Sequence, residues 1–125
     1  MKQQFLNEKT LELIKEKNKL RTQFKLIREQ LSEEEIVNKS KLIAEKVLNL
    51  AELKRAKNIM CYVSKDTEVA THQLIKNLLT MNKTVVVPFI VKKGIMKPAI
   101  IRDFSELVLA NFKTLQPQSN VFLEE

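Results

Sequence analysis

The chain contains very little glycine, cysteine and histidine. Its 125 residues include one of each, Gly94, Cys61 and His72. A dinucleotide-binding fingerprint needs three glycines and a P-loop needs two, so neither motif can be present. Structural zinc sites usually take four ligands from cysteine and histidine, which excludes such a site as well. Any phosphate must therefore be bound by side chains, by helix N-termini or by a segment outside these residues.

A single cysteine also excludes an internal disulfide and is typical of a reducing cytosol. A nucleophilic pair of Cys61 and His72 is formally possible. Cys61 falls in a predicted buried strand, however, where thiols are generally unreactive. No apolar run approaches the roughly 20 residues that span a bilayer, and the N-terminus has no secretory pattern. We therefore expect a cytoplasmic protein without a membrane partner.

The net charge is +7, from 22 basic and 15 acidic residues. This balance suits anionic partners such as nucleotides, polyglutamates, phosphates or nucleic acid, and a lysine-rich surface explains it equally well. The basic residues are interspersed with acidic ones, and no zinc-finger pattern, RNP-type strand or Gly-x-x-Gly loop occurs. A nucleic-acid-binding module is thus the weakest of the functions considered.

Helical periodicity dominates the first 50 residues. Residues 2 to about 30 place one apolar stripe on a helix, made of Leu13, Leu20, Phe24, Ile27 and Leu31. Ser32 and Glu35 form a capping-box signature, which predicts a second helix over 33–49. Two helices with almost no linker predict a helical hairpin over residues 1–50.

A strand, a polar turn, a helix and a second strand follow. The strands are predicted at 58–63 and 84–87, the helix begins near Thr71, and Pro88 ends the second strand. This βαβ order predicts a parallel sheet, whose ligands bind where the strands end, at the Ser64–Glu68 turn and after Pro88. Beyond Pro88, short strands at 89–91, 96–101 and 108–115 are expected, with a hairpin turn at 92–94.

The predicted fold is α/β, a helical hairpin packed on a small, mainly parallel sheet over residues 58–125. We expect one domain, because domains commonly have roughly 100–150 residues. Two parallel strands with one crossover helix make a thin sheet, and parallel sheets need both faces covered. We therefore expect a sheet that is incomplete at its C-terminal side, which predicts that the 125 residues are the N-terminal part of a larger α/β domain.

Four motifs resemble the 5-formyltetrahydrofolate cyclo-ligase family and together cover nearly the whole chain. They are Lys17-Asn-Lys-Leu20-Arg21 with Phe24 and Leu31-Ser32-Glu33-Glu34; Tyr62-Val63-Ser64 with Glu68, Thr71 and Leu74-Ile75; Lys83 with Val85–Pro88 and Met96; and Leu115-Gln116-Pro117. The resemblance implies an ATP-dependent cyclisation of 5-formyltetrahydrofolate to 5,10-methenyltetrahydrofolate, with release of ADP and phosphate. It also implies ATP and Mg²⁺ as cofactors and a monomer or weak oligomer. In such phosphoryl transfer the protein mainly positions the reactants and neutralises charge.

The resemblance further implies two binding groups. Lys17 and Arg21, four residues apart on one helix face, would contact ATP phosphates; a solvated basic face is the alternative. Glu68 would accept hydrogen bonds from pterin N–H groups; a carboxylate favoured by a helix start is the alternative. The folate pocket would be lined by Met60, Ser64, Pro88, Phe89 and Met96. Core packing is the alternative for Met60, and strand termination is the alternative for Pro88; no catalytic or metal-binding residue is assigned.

Members of the family carry a glycine-rich Gly-x-Gly-Gly-Gly-Tyr-Tyr-Asp loop, which is implied to hold phosphates and metal. With one glycine, these 125 residues do not include it. Two interpretations follow. The chain is the N-terminal part of a cyclo-ligase, or it is a catalytically inactive homologue that serves as an interaction domain.

Overall fold

A computed structural model describes residues 7–110, 115–117 and 121–123 of the chain. The chain divides into two compact units, Met1–Ser32 and Glu33–Glu125. The helices are α1 (Glu8–Glu29), α2 (Glu33–Leu48), α3 (Ala51–Arg55) and α4 (His72–Thr80). The strands are β1 (Asn58–Met60), β2 (Thr84–Lys92), β3 (Ile95–Ile101), β4 (Leu107–Leu109) and β5 (Leu115–Pro117). None of the helices in these ranges combines the length and apolar character needed to cross a membrane.

The first unit is described by α1. Asn7 caps the helix, because its Oδ1 accepts a hydrogen bond from the Thr10 N–H at 2.8 Å. No described residue of α1 is buried, and Leu20 and Phe24 of the predicted apolar stripe are about half exposed. The helix is present where the periodicity predicts it, apart from residues 2–6, which lie outside the described residues. The helical hairpin remains a prediction.

The second unit begins with α2, at the residue after Ser32, as the capping signature predicts. The apolar face of this helix contains one polar position, Ser40, which is buried. Its Oγ accepts a hydrogen bond from the Ala70 N–H at 2.8 Å. The hydroxyl is therefore satisfied, as a buried polar group must be, and it joins α2 to the segment that precedes α4.

The predicted βαβ unit is confirmed. Strands β1 and β2 are parallel, with Ile59 opposite Val85, and α4 is the crossover between them. The predicted hairpin follows, because β2 and β3 pair antiparallel and Gly94 lies at the turn with φ of 81°. The three strands form one mixed sheet in the order β1-β2-β3. The parallel part is confined to the first pair, so the sheet is mixed and not mainly parallel as predicted.

The prediction that Pro88 ends the second strand is wrong, since β2 continues through it to residue 92. The Val86 carbonyl accepts a hydrogen bond from the Cys61 N–H, and the Ile90 N–H points to the Gln116 side chain. By alternation, the nitrogen of Pro88 also faces the β1 side. There β1 has already ended, so the missing N–H removes no hydrogen bond from the pairing with β3. A proline is tolerated at such a position.

The core of the second unit lies between α4 and one face of the sheet. Buried side chains from the helix, both long strands and β4 form one cluster: Ile75, Leu78, Val85, Val87, Ile101 and Leu107. Strands β4 and β5 form a separate two-stranded sheet, and Phe122 bridges to Ala99 at the outer edge of β3. Of the strand predicted at 108–115, positions 111–114 lie outside the described residues.

Lys83, one of the motif residues, has a structural contact. Its Nζ donates to the carbonyls of Lys54 and Ala56, which lie at the C-terminal end of α3. We expect Lys83→Met to lower the free energy of unfolding by about 1–2 kcal/mol, because two carbonyls lose a charged donor. Urea denaturation measures this, with Lys93→Met in the exposed hairpin turn as the control. Equal stability of the two variants would contradict the prediction.

Candidate functional site

The segment between β1 and α4, residues 61–71 (the β1–α4 loop), is closed by a pair of reciprocal hydrogen bonds. The Ser64 N–H donates to Thr71 Oγ1 at 2.9 Å, and the Thr71 N–H donates to Ser64 Oγ at 2.8 Å. The Thr71 hydroxyl donates in turn to the Tyr62 carbonyl at 2.7 Å. These three bonds fix both limbs of the loop at the end of β1.

His72 adds a fourth bond to the same loop. Its Nε2 lies 3.0 Å from the Ser64 carbonyl, which can only accept, so Nε2 carries the proton in this contact. The imidazole also packs on Phe104, with ring centroids 5.3 Å apart, and Lys76 Nζ lies 4.8 Å from the Phe104 ring centroid. Nε2 of His72 therefore stabilises the loop, and we assign no catalytic role to His72.

Glu68 lies on a tight turn within the loop. Its N–H donates to the Lys65 carbonyl at 3.1 Å, and its Oε1 accepts from the Lys65 N–H at 2.9 Å. Asp66, inside the turn, has φ of 50°, a left-handed conformation that aspartate tolerates better than most residues. Within the part of the chain that the structure describes, Oε2 of Glu68 has no hydrogen-bond partner. One carboxylate oxygen is therefore held and the other can accept from a ligand.

A small cavity of about 160 Å³ opens beyond the end of β1 (the strand-end cavity). Its walls come from the β1–α4 loop, β2 and β5: Tyr62, Val63, Lys65, Glu68, Pro88, Ile90, Leu115 and Gln116. The Gln116 side chain, which is buried, accepts from the Ile90 N–H at 3.4 Å. Ligand cavities commonly measure about 300–1,000 Å³, so this one accommodates only part of a drug-sized ligand.

A larger cavity of about 750 Å³ lies on the other side of the same loop, between α2 and α4 (the helix-side cavity). Glu68 and Lys65 line both cavities, whereas Ser64 lines only the larger one. Glu45 of α2 borders only the helix-side cavity. The β1–α4 loop is thus the common wall of both spaces, and Glu68 lies at their junction.

Three of the predicted folate residues share one face of the sheet. Met60 lies opposite Val86, and Met96 lies opposite Ile90. Pro88 lies between these two β2 positions on the same side, since strand side chains alternate. This face is opposite to α4. Met60 is 52% exposed, so the core-packing alternative for it is wrong.

Phe89 points to the other face of the sheet because it directly follows Pro88. Its ring packs against Phe122, with centroids 5.7 Å apart. The structure therefore brings Glu68 and Pro88 together at the strand-end cavity, with Met60 and Met96 on the same sheet face. It does not place Phe89 with them. The role of each residue toward a folate remains a prediction.

The two predicted ATP residues lie in the first unit. Lys17 and Arg21 are both exposed on α1, and Arg21 Nη1 donates to Asn18 Oδ1 at 3.1 Å. Their spacing on one helix face is as predicted, and a contact with ATP remains a prediction. Among the described residues, no group of three histidine, cysteine or acidic side chains could hold a metal ion. These residues thus do not fit a resident Mg²⁺ site.

Cys61 is the first residue of the β1–α4 loop and is only partly buried, so the prediction that it lies in a buried strand over 58–63 is wrong. Burial raises the pKa of its thiol, and a hydrogen bond with Thr71 offsets part of that shift. The thiol is therefore protonated at neutral pH, and a thiol is a poor nucleophile compared with a thiolate. This agrees with the prediction that Cys61 and His72 do not form a catalytic pair.

Several residues of the site were not among the predicted folate contacts, and Ile90 and Thr71 show why. Ile90 lines the strand-end cavity, and the two-residue period from Pro88 would have identified it if β2 had been extended through the proline. Thr71 was predicted only as the start of α4 and as a member of the second family motif, which suggested an N-cap. The structure places it there, but its side chain makes no cap hydrogen bond to the helix. No local sequence signal distinguishes these two uses of a threonine.

Comparison with known proteins identifies the family. The model of the 5-formyltetrahydrofolate cyclo-ligase family matches residues 13–125. The chain belongs to this family. Over 72 residues, 58% of the chain, it is 35% identical to the 5-formyltetrahydrofolate cyclo-ligase of Haemophilus influenzae, and the match covers 38% of that relative. The resemblance of the four motifs is thereby confirmed.

A solved structure agrees with the fold. The NMR structure of Aquifex aeolicus 5,10-methenyltetrahydrofolate synthetase superposes with a TM-score of 0.75 at 22% sequence identity. The match covers 86% of this chain and 54% of the Aquifex chain. The predicted α/β class is confirmed by this similarity. The chain thus spans between about a third and about half of the length of these two relatives.

Proposed function

We propose that this chain forms the folate-binding part of an enzyme that uses ATP to cyclise 5-formyltetrahydrofolate to 5,10-methenyltetrahydrofolate, with release of ADP and phosphate. The observation that carries the proposal is the position of Glu68. In a member of the cyclo-ligase family, this carboxylate lies beside Pro88 at the carboxyl end of β1, the edge where α/β sheets bind ligands.

The chemistry of the strand-end cavity suits a pterin. A pterin ring presents adjacent N–H donors, and a carboxylate accepts such donors with two oxygens. Oε1 of Glu68 is held by the Lys65 N–H, which orients the carboxylate before a ligand arrives. Pro88 and Ile90 offer an apolar wall against which a flat ring can pack. The cavity has room for part of the folate, consistent with one end of the ligand lying there.

The phosphoryl step places other demands on the protein. In the proposed reaction the formyl oxygen is phosphorylated by ATP, N10 of the folate attacks the formyl carbon, and phosphate leaves. The protein's share is to align these groups and to neutralise charge. Lys17 and Arg21 are the residues proposed to contact the ATP phosphates. The resemblance implies that Mg²⁺ accompanies ATP, and the described residues include no group of three potential metal ligands that would hold it.

A thermal melt of the chain tests the proposal. It is measured alone, with 5-formyltetrahydrofolate, with magnesium-ATP, and with citrate as an unrelated polyanion. A ligand that binds only the folded state raises the melting temperature by mass action. We expect a rise with the folate that citrate does not reproduce. A cooperative melt that the folate leaves unchanged would contradict the proposal and favour the interaction-domain function.

The ATP role has its own prediction. Replacing Arg21 by alanine removes a guanidinium that would donate to a phosphate, so we expect ATP affinity to fall about tenfold without loss of α1. Arg28→Ala, on the last turn of the same helix, is the matched control for charge. Nucleotide binding by fluorescence titration and helix content by circular dichroism measure the two effects. Equal ATP affinity in both variants would exclude Arg21 from the site.

A further inference from the structure

Thr71 has more contacts within the β1–α4 loop than a helix cap requires. Its hydroxyl donates to the Tyr62 carbonyl and accepts from the Ser64 N–H, while its own N–H donates to Ser64 Oγ. Thr71 bonds to α4 only through its carbonyl, which accepts a hydrogen bond from the Ile75 N–H at 2.8 Å. Thr71 is 3% exposed. It is thus too buried to be part of a ligand-contacting surface, and its side chain serves the loop rather than α4.

The bonds of Thr71 lead directly to the Glu68 carboxylate. Ser64, which Thr71 holds at both N–H and Oγ, is followed by Lys65, whose N–H holds Oε1 of Glu68. The other limb of the loop is tied by the Tyr62 hydroxyl, which donates to the Val69 carbonyl at 2.8 Å. Only one peptide unit thus separates the clamped Ser64 from the N–H that orients the carboxylate.

We propose that Thr71 is a positioning residue of the folate site, which holds the Glu68 carboxylate in place through Ser64 and Lys65. The inference rests on the proposed function. Ser64 Oγ is also part of the clamp, because it accepts the Thr71 N–H, while its hydroxyl proton can still donate to a ligand as predicted. A binding group held before the ligand arrives loses less entropy on binding, so the clamp contributes to affinity without touching the ligand.

The test is Thr71→Val, which keeps the β-branched shape and removes the hydroxyl. The Tyr62 carbonyl then loses its hydrogen bond from Thr71, while its 3.3 Å contact with the Cys61 thiol remains, and the Ser64 N–H loses its bond to Thr71 Oγ1. We expect 5-formyltetrahydrofolate affinity, measured by isothermal titration calorimetry, to weaken about tenfold or more, because the loop loses two hydrogen bonds of the clamp. A tenfold change corresponds to about 1.4 kcal/mol. Hydrogen exchange of the Lys65 amide should accelerate, because that amide is protected by the turn that the clamp holds. Thr71→Ser, which restores the hydroxyl, should return both quantities to near the wild-type values.

Two further variants separate positioning from general stability. Leu79→Ala truncates a side chain packed against the core, far from the loop bonds, and should lower the melting temperature while leaving folate affinity unchanged. Ser64→Ala removes the acceptor of the Thr71 N–H and should accelerate hydrogen exchange at Lys65 as well as weaken affinity, which covers the case that the valine variant does not fold.

Three results would overturn the positioning role. The first is wild-type affinity in Thr71→Val or in Ser64→Ala. The others are unchanged hydrogen exchange at Lys65 and failure of Thr71→Ser to restore binding. Weaker binding in Leu79→Ala would overturn it too. Absence of folate binding in the wild-type chain would instead remove the proposed function, and with it this inference.

Discussion

Glu68→Gln is expected to weaken 5-formyltetrahydrofolate binding by about ten- to a hundredfold, as loss of a charged hydrogen bond of about 1.5–3 kcal/mol implies. The glutamine side chain has nearly the same shape, but it loses the charge and directs an amide donor toward a ring that also donates. The turn would still form, because an amide oxygen can accept from the Lys65 N–H as Oε1 does now. ATP affinity should not change, and calorimetric titration with each ligand measures both quantities.

The matched control is Glu45→Gln. Glu45 lines the helix-side cavity and not the strand-end cavity, so the same chemical change is made beside the other space. We expect wild-type folate affinity in this variant. Equal folate binding by Glu68→Gln and wild type would exclude the carboxylate from the site. Weaker binding by Glu45→Gln alone would move the ligand to the helix-side cavity.

Leu78→Ala is expected to lower the free energy of unfolding of the second unit by about 3 kcal/mol, within the usual range of about 2–5 kcal/mol for such truncations. Leu78 is 1% exposed and packs in the cluster between α4 and the sheet. Removal of its side chain loses buried apolar contacts and leaves a cavity. Because small domains have a total stability of about 5–15 kcal/mol, the loss should shift the urea midpoint strongly.

Leu109→Ala is the control for this truncation. Leu109 is 70% exposed, so we expect a change within about 0.5 kcal/mol, as is usual for surface positions. A change of similar size in both variants would contradict the position of the core between α4 and the sheet. Urea denaturation followed by circular dichroism gives both values from the same experiment.

Local periodicity explains which parts of the fold could be predicted. The parallel pairing of β1 and β2, the crossover helix α4 and the hairpin turn at Gly94 all follow from apolar runs and turn residues that lie close in sequence. The position of Glu68 at the end of a parallel strand follows from the same order of elements. These features depend on residues that lie near one another along the chain.

The course of the chain past Pro88 depends on pairing that the sequence alone does not display. A proline ends a strand only if its missing N–H would have bonded a neighbour, and here the neighbour on that side, β1, stops at Met60. The error also affected the site, because extension of β2 puts Phe89 on the face opposite to Pro88. The residues predicted to line one folate pocket therefore divide between the two faces of the sheet.

The polar contacts of the loop were also beyond local rules. Ser40 is the one polar position on the apolar face of α2, and its partner, the Ala70 N–H, lies 30 residues away. Thr71 was a good N-cap by residue type, yet its hydroxyl bonds Tyr62 and Ser64 instead. Serine and threonine hydroxyls have several possible backbone partners, and only the folded arrangement selects among them.

The most direct test of the central claim is an NMR titration of the isotopically labelled chain with 5-formyltetrahydrofolate. If the strand-end cavity binds the folate, the backbone amides of Glu68, Ile90 and Gln116 should shift together and saturate with one dissociation constant. The amides of Lys41 and Glu45, beside the helix-side cavity alone, should stay in place. Shifts confined to those two residues, or a spectrum that the folate leaves unchanged, would contradict a folate site at the end of β1.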